Sequence, residues 1–125
     1  MEGNDINFTQ ETIEEYRHIR DEFYIPGLSC ITDVMLFNNG LKYVYIEDTL
    51  NVRAGYGIRV RYIDKQGRRR MVTGYGTTIF LGIETPVECN DVVIGLDSDP
   101  DVSMCRNFVQ IRAKITLQYT VETVK

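Results

Sequence analysis

The chain has 125 residues, 43% of them hydrophobic and 26% charged, with a formal net charge of −4. That length makes one domain with an ordinary core, and the balance excludes a largely disordered or low-complexity chain. No apolar run is long enough to span a bilayer as a helix, and the acidic start (Glu2, Asp5) lacks the basic-then-apolar layout of a secretion signal, so a cytoplasmic protein, or one in a particle assembled there, is expected.

Residues 1–8 read as an irregular lead-in. Thr9 is a candidate N-cap, with Glu11, Glu14 and Glu15 at the positive end of a helix dipole. Ile13, Tyr16, Ile19 and Phe23 recur at helical spacing, which predicts a helix over 9–24 that Pro26-Gly27 ends. The single domain thus divides into an N-terminal arm and helix, 1–27, and an antiparallel β domain, 28–125.

After Gly27 the hydrophobic period becomes two. Strands are expected over 28–37 and 41–47, joined by a tight turn at Asn38-Asn39-Gly40. Strands over 58–63 and 68–73 flank the turn Asp64-Lys65-Gln66-Gly67, and further strands fall at 77–83 and 92–96. Asp97-Ser98-Asp99-Pro100-Asp101 reads as a loop. The clearest alternation runs from Val109 to Val121, apolar at odd positions and polar at even ones. It marks a half-buried strand of an antiparallel sheet. Its length exceeds the usual strand, so a bend, a bulge or a reach beyond its own domain is expected. The fold class is mainly β: an antiparallel β-sandwich or small barrel of about seven strands, with one N-terminal amphipathic helix.

The stretch 53–76 carries Arg53, Arg59, Arg61, Lys65, Arg68, Arg69 and Arg70 against one acid, Asp64. Gly55-Tyr56-Gly57 and Gly74-Tyr75-Gly76 bracket it almost symmetrically. Two registers are open. A Lys65-Gln66 two-residue loop sets Arg61 against Arg70 and gathers Arg59, Arg61, Arg68 and Arg70 on one face. A bulge at Gly67 slips the pairing by one and breaks that face up, and Asp-x-x-Gly suits it. Like charges across a ladder repel, so something outside the hairpin is expected to offset them. Phosphates or an acidic protein surface have the right chemistry. The glycines serve as flex points or relieve crowding, and Tyr56 and Tyr75 are either packed aromatics or base-stacking platforms.

The stretch 84–101 is opposite in sign, ending in Asp97, Asp99 and Asp101. Val102 and Phe108 stand where a calcium loop needs glycine and glutamate, so a solvated acidic loop is expected and no metal. Cys30, Cys89 and Cys105 form no C-x-x-C pair and read as reduced buried thiols. Zinc held by these and His18 would lack the usual local ligand spacing. His18, the single histidine, falls between Glu14 and Glu22 on the exposed side of the expected helix. No nucleophile elbow or phosphate-binding glycine loop is present, so neither catalysis nor a cofactor is expected.

Three functions follow from these residues. The first is a structural subunit that self-associates or docks in a larger assembly, with Arg59, Arg61, Lys65, Arg68, Arg69 and Arg70 meeting Asp97, Asp99 and Asp101. Such contacts between neighbouring copies are head-to-tail, and phage and virus particle components often have this small β layout. The second is a nucleic-acid-binding module that uses the arginine hairpin. The third is a sandwich that binds a sugar or other small ligand, which eight tyrosines allow and the lack of tryptophan disfavours.

Overall fold

The structure, a computed structural model, describes residues 8–85 and 89–124. Among the described residues there are seven strands: β1 (Phe8–Tyr24), β2 (Leu28–Ile46), β3 (Thr49–Asp64), β4 (Arg69–Glu84), β5 (Cys89–Leu96), β6 (Asp101–Cys105) and β7 (Phe108–Val124). One antiparallel sheet, here sheet A, runs β1-β7-β5, with β6 following β5 along the same side of β7. The other, sheet B, runs β2-β3-β4. The two sheets share one hydrophobic core and form a sandwich.

Two central strands make that core. Val109, Ile111, Ile115 and Leu117 of β7 are fully buried, as the alternation requires. They meet Leu50, Val52, Ile58 and Val60 of β3 and Phe80 of β4. β7 neither leaves the domain nor needs a bulge, because β1 pairs with it residue by residue from Phe8↔Val124 to Tyr24↔Phe108. On its other side, β5 and β6 together supply one interrupted partner.

The helix expected over 9–24 is instead β1, and the described residues contain no helix, hence none long and apolar enough to cross a membrane. The odd positions of β1 turn inward, and among Ile13, Ile19 and Phe23 they include Glu15, Arg17 and Asp21, which hide the period of two. Asp21 and Arg17 are accommodated at the sandwich edge, while Glu15 Oε2 is buried without a hydrogen-bond partner among the described residues. The Tyr56 hydroxyl donates to Asp21 Oδ2 at 2.8 Å, and the Arg17 guanidinium lies 4.7 Å from the Phe80 ring centroid. The Glu15 carboxylate lies against Tyr119. Tyr16, expected on the apolar stripe, points outward and is exposed. Helical spacing loses because β7 would otherwise leave one side of its backbone unpaired. Inward charges on an edge strand also discourage pairing with another chain. Most of the expected lead-in, 1–7, lies outside the described residues.

Asn38-Asn39-Gly40 is not a hairpin turn either. β2 runs through it with a register shift, Gly40 takes φ 104°, and the turn falls at Glu47-Asp48, where Glu47 takes φ 48°. Gly55 permits this bulge: a Cβ there would stand 2.3 Å from the Asn39 carbonyl oxygen. A second surprise is β6, within and just beyond the expected acidic loop.

Two outcomes follow. Gly55→Ala, which collides with backbone, lowers the urea midpoint by the equivalent of about 1–3 kcal/mol, while Gly57→Ala, which meets only the movable Phe37 ring, costs less. The second concerns alkaline pH. Burial, then the Glu15 carboxylate, push Tyr119 up to about 12, and burial together with Asp21 raises Tyr56 as well. Folding therefore favours the protonated phenols. That contribution is intact below pH 10, the ordinary tyrosine value, and is lost as pH rises through about 12. Denaturation at stepped pH shows this decline, and Tyr119→Phe and Tyr56→Phe flatten it.

Candidate protein-docking face

The hairpin closes in the bulged register. Asp64 N–H donates to the Arg68 carbonyl, Ile63 pairs with Arg69, and Gly67 takes φ 79°. The Asp64 carboxylate organises the turn, accepting from the Gln66 and Arg68 amides and from Arg70 Nε at 3.1 Å. The Arg68 amide bond leads in holding its carboxyl below the usual aspartate value. The arginines consequently do not all share a face. Even positions of β3 are buried, so Arg53, Arg59 and Arg61 project from the outside of sheet B, with Arg69 beyond them. Arg70 turns to Asp64 instead, and Lys65 sits exposed at the tip beside Arg68.

The four glycines accept groups that press on them. Gly57 lies beneath the Phe37 ring, Gly74 beneath Phe23, and Gly76 beneath the Tyr56 hydroxyl. They relieve crowding. Tyr56 is buried and its hydroxyl engaged, so it offers no stacking platform, while Tyr75 is 67% exposed.

The outer faces of the two sheets differ. The central strand of sheet A shows water Gln110, Arg112, Lys114, Thr116, Gln118 and Thr120, with Tyr16, Tyr24, Val93 and Phe108 exposed around it. Sheet B shows Met35, Val44, Met71, Tyr75, Ile79 and Leu81, the last 67% exposed. Val44, Ile79 and Leu81 line a shallow apolar hollow of about 320 Å³, edged by Lys42 and Arg53. At the other end Asp33, Arg61 and Met71 line a more polar hollow of about 580 Å³. Between its turns this face carries two carboxylates among the described residues, Asp33 and, at its far end, Glu84, against Lys42, Arg53, Arg59, Arg61 and Arg69.

Phe37, Met35, Ile79 and Leu81 were not singled out as site residues from sequence, and Tyr75 was named there only as a packed or base-stacking aromatic. A signal was available in Val34-Met35-Leu36-Phe37 and Ile79-Phe80-Leu81, which are apolar at odd and even positions alike. Such runs are usual in strands buried on both faces, whereas here Met35, Ile79 and Leu81 are exposed.

The acidic loop lies at the break between β5 and β6. Asp97 fills the gap in the ladder: its Oδ2 accepts the Lys114 amide at 3.2 Å and its Oδ1 accepts the Asp99 amide at 3.1 Å. Asp101 stands opposite Arg112, and the Asp99 side chain is exposed. All five residues of β6 are exposed, Asp101 on the outer side of sheet A with Arg112, and Val102 and Met104 on the opposite side of the strand, with Ile111 and Val109. Among the described residues no three of His, Cys, Asp or Glu group to hold a metal. His18 lies opposite Lys114 and edge-on to Tyr16 at 5.5 Å. The cysteines are free thiols, and Cys30 and Cys105 are exposed, unlike the buried thiols expected from sequence.

No protein-family model matches the chain, and no curated protein or solved structure matches it either.

Removing the Asp97 carboxylate leaves the Lys114 amide unsatisfied. Asp97→Ala is expected to cost about 1–2 kcal/mol, and Asp99→Ala less than about 0.5 kcal/mol, both read from urea midpoints.

Proposed function

We propose that this chain is a non-enzymatic assembly subunit whose copies join head to tail, the outer face of sheet B of one copy receiving the acidic loop and β6 edge of the next. The observation that carries this reading is the outer face of sheet B, where large apolar side chains alternate with arginines. Apolar patches of this kind on small proteins mark contact sites, and arginine beside aromatic residues is the composition of interface centres. Charge selects the geometry. Two such faces meeting about a two-fold axis would set the row of Arg53, Arg59 and Arg61 against an equally cation-rich face, a like-charge contact that costs several kcal/mol. The loop and β6 edge, acidic at Asp99 and Asp101 and apolar at Val102 and Met104, is complementary. Such a contact is heterologous and gives rings when its rotation closes and filaments otherwise, as a subunit of a larger particle requires.

A second reading, nucleic-acid binding, is favoured by the exposure of Tyr75 beside Arg59 and Arg61, since stacking aromatics among cations suit single strands. The net charge of −4 and the apolar hollow at the far end of the face count against it.

Absolute mass by light scattering across a sizing column, on protein free of nucleic acid, tests the proposal. A multimer is expected, reduced to monomer by Leu81→Asp and by Arg61→Glu. A wild-type monomer at every concentration overturns self-assembly, and salt-sensitive binding to oligothymidylate would then establish the second reading.

A further inference from the structure

We infer that Arg59 is the anchor of the face and that it receives the Asp99 carboxylate of the neighbouring copy. This rests on the head-to-tail reading above and names the ion pair at its centre.

Arg59 differs from the other cations of the hairpin in how it is held. Gly57, its neighbour two residues back on β3, has no side chain, and the Phe37 ring from β2 occupies that space. A Cβ on Gly57 would lie 2.1 Å from Phe37 Cζ. The Arg59 guanidinium stacks on this ring, 5.2 Å from its centroid, and Tyr75 of β4 meets the ring edge-on at 6.1 Å and 90°. Three strands thus fix one guanidinium. Its Nε is buried with no acceptor among the described residues. Asp33 stands opposite Arg61 instead, while Arg59 faces Met35 and Thr73.

A guanidinium that is oriented, partly desolvated and unpaired is a site for a planar oxyanion. Two parallel N–H···O bonds form with a carboxylate, and little side-chain entropy remains to be lost. The aromatic contact strengthens the hold where water is excluded. Of the loop carboxylates, Asp97 is committed to two amides and Asp101 stands opposite Arg112 in the ladder, whereas the Asp99 carboxylate has neither a hydrogen bond nor a ladder neighbour among the described residues. The Asp99 amide bond to Asp97 fixes the backbone from which this carboxylate projects.

A head-to-tail ion pair has a consequence that a symmetric contact lacks. Arg59→Glu removes the receiving end of each copy and leaves its loop intact; Asp99→Ala does the reverse, and being neutral it cannot pair with the reversed charge at position 59. Each variant alone is expected to be monomeric by light scattering. Mixed at equal amounts, the two have one intact face and one intact loop between them, and form a one-to-one dimer that cannot grow. Arg59→Lys, which keeps the charge and loses the fork, is expected to weaken self-association by about tenfold or more. Unfolding midpoints within error of wild type establish that each variant is folded. Wild-type multimers that survive both Arg59→Glu and Asp99→Ala overturn the anchor and leave assembly standing. Multimers lost in both variants with no dimer on mixing overturn the Arg59–Asp99 pairing. A wild-type monomer overturns assembly and the anchor together.

Discussion

The fold depends on one apposition, the apolar row of β7 against the apolar row of β3. Each row is the inward half of a central strand, and each fully buried aliphatic side chain there contributes about 1.5–3 kcal/mol. Around this spine the edge strands have more latitude. β1 can turn Glu15, Arg17 and Asp21 inward because it lies at the margin, where Tyr119, Phe80 and Tyr56 meet them. The outward sides of the two central strands are released from the core, and there the sheets diverge. Sheet A is mostly wetted. Sheet B carries arginines between apolar neighbours.

What could be read from sequence follows the same division. The alternation from Val109 to Val121 is unambiguous because its strand is central and its two faces have different solvents. The hairpin around Asp64 was legible as a turn with two registers open, and the glycine three residues after the carboxylate that caps the turn suited the bulged one, which the structure adopts. β1 was not legible. Three apolar residues at positions 13, 19 and 23 fit both a helical stripe and an alternating row, and only pairing with β7 decides between them. The turn at Glu47-Asp48 lacks glycine and asparagine, whereas Asn39-Gly40 has both and makes a bulge. Turn chemistry reports a positive φ, and a bulge needs one as much as a hairpin does.

The candidate site was legible as charge and not as surface. The basic stretch drew attention to Arg59 and Arg61, but composition treats all six hairpin cations alike. Register separates them, placing Arg70 on Asp64 and leaving Arg59 on Phe37. The paired Gly-Tyr-Gly motifs look equivalent in sequence yet face opposite ways. Gly57 makes room outside the sandwich for the ring that supports Arg59, while Gly76 makes room inside for Tyr56. The acidic loop divides likewise, since Asp97 belongs to the ladder of its own sheet and Asp99 to the surface.

The central claim is that two separate surfaces of this chain cover each other, and amide hydrogen exchange followed as a function of protein concentration tests it most directly. The account predicts that residues 71–81 of β4 and residues 99–105 become slower to exchange together as concentration rises, while the wet outer strand positions of sheet A stay unchanged. Exchange in both regions that is independent of concentration, or slowing in one without the other, would contradict it.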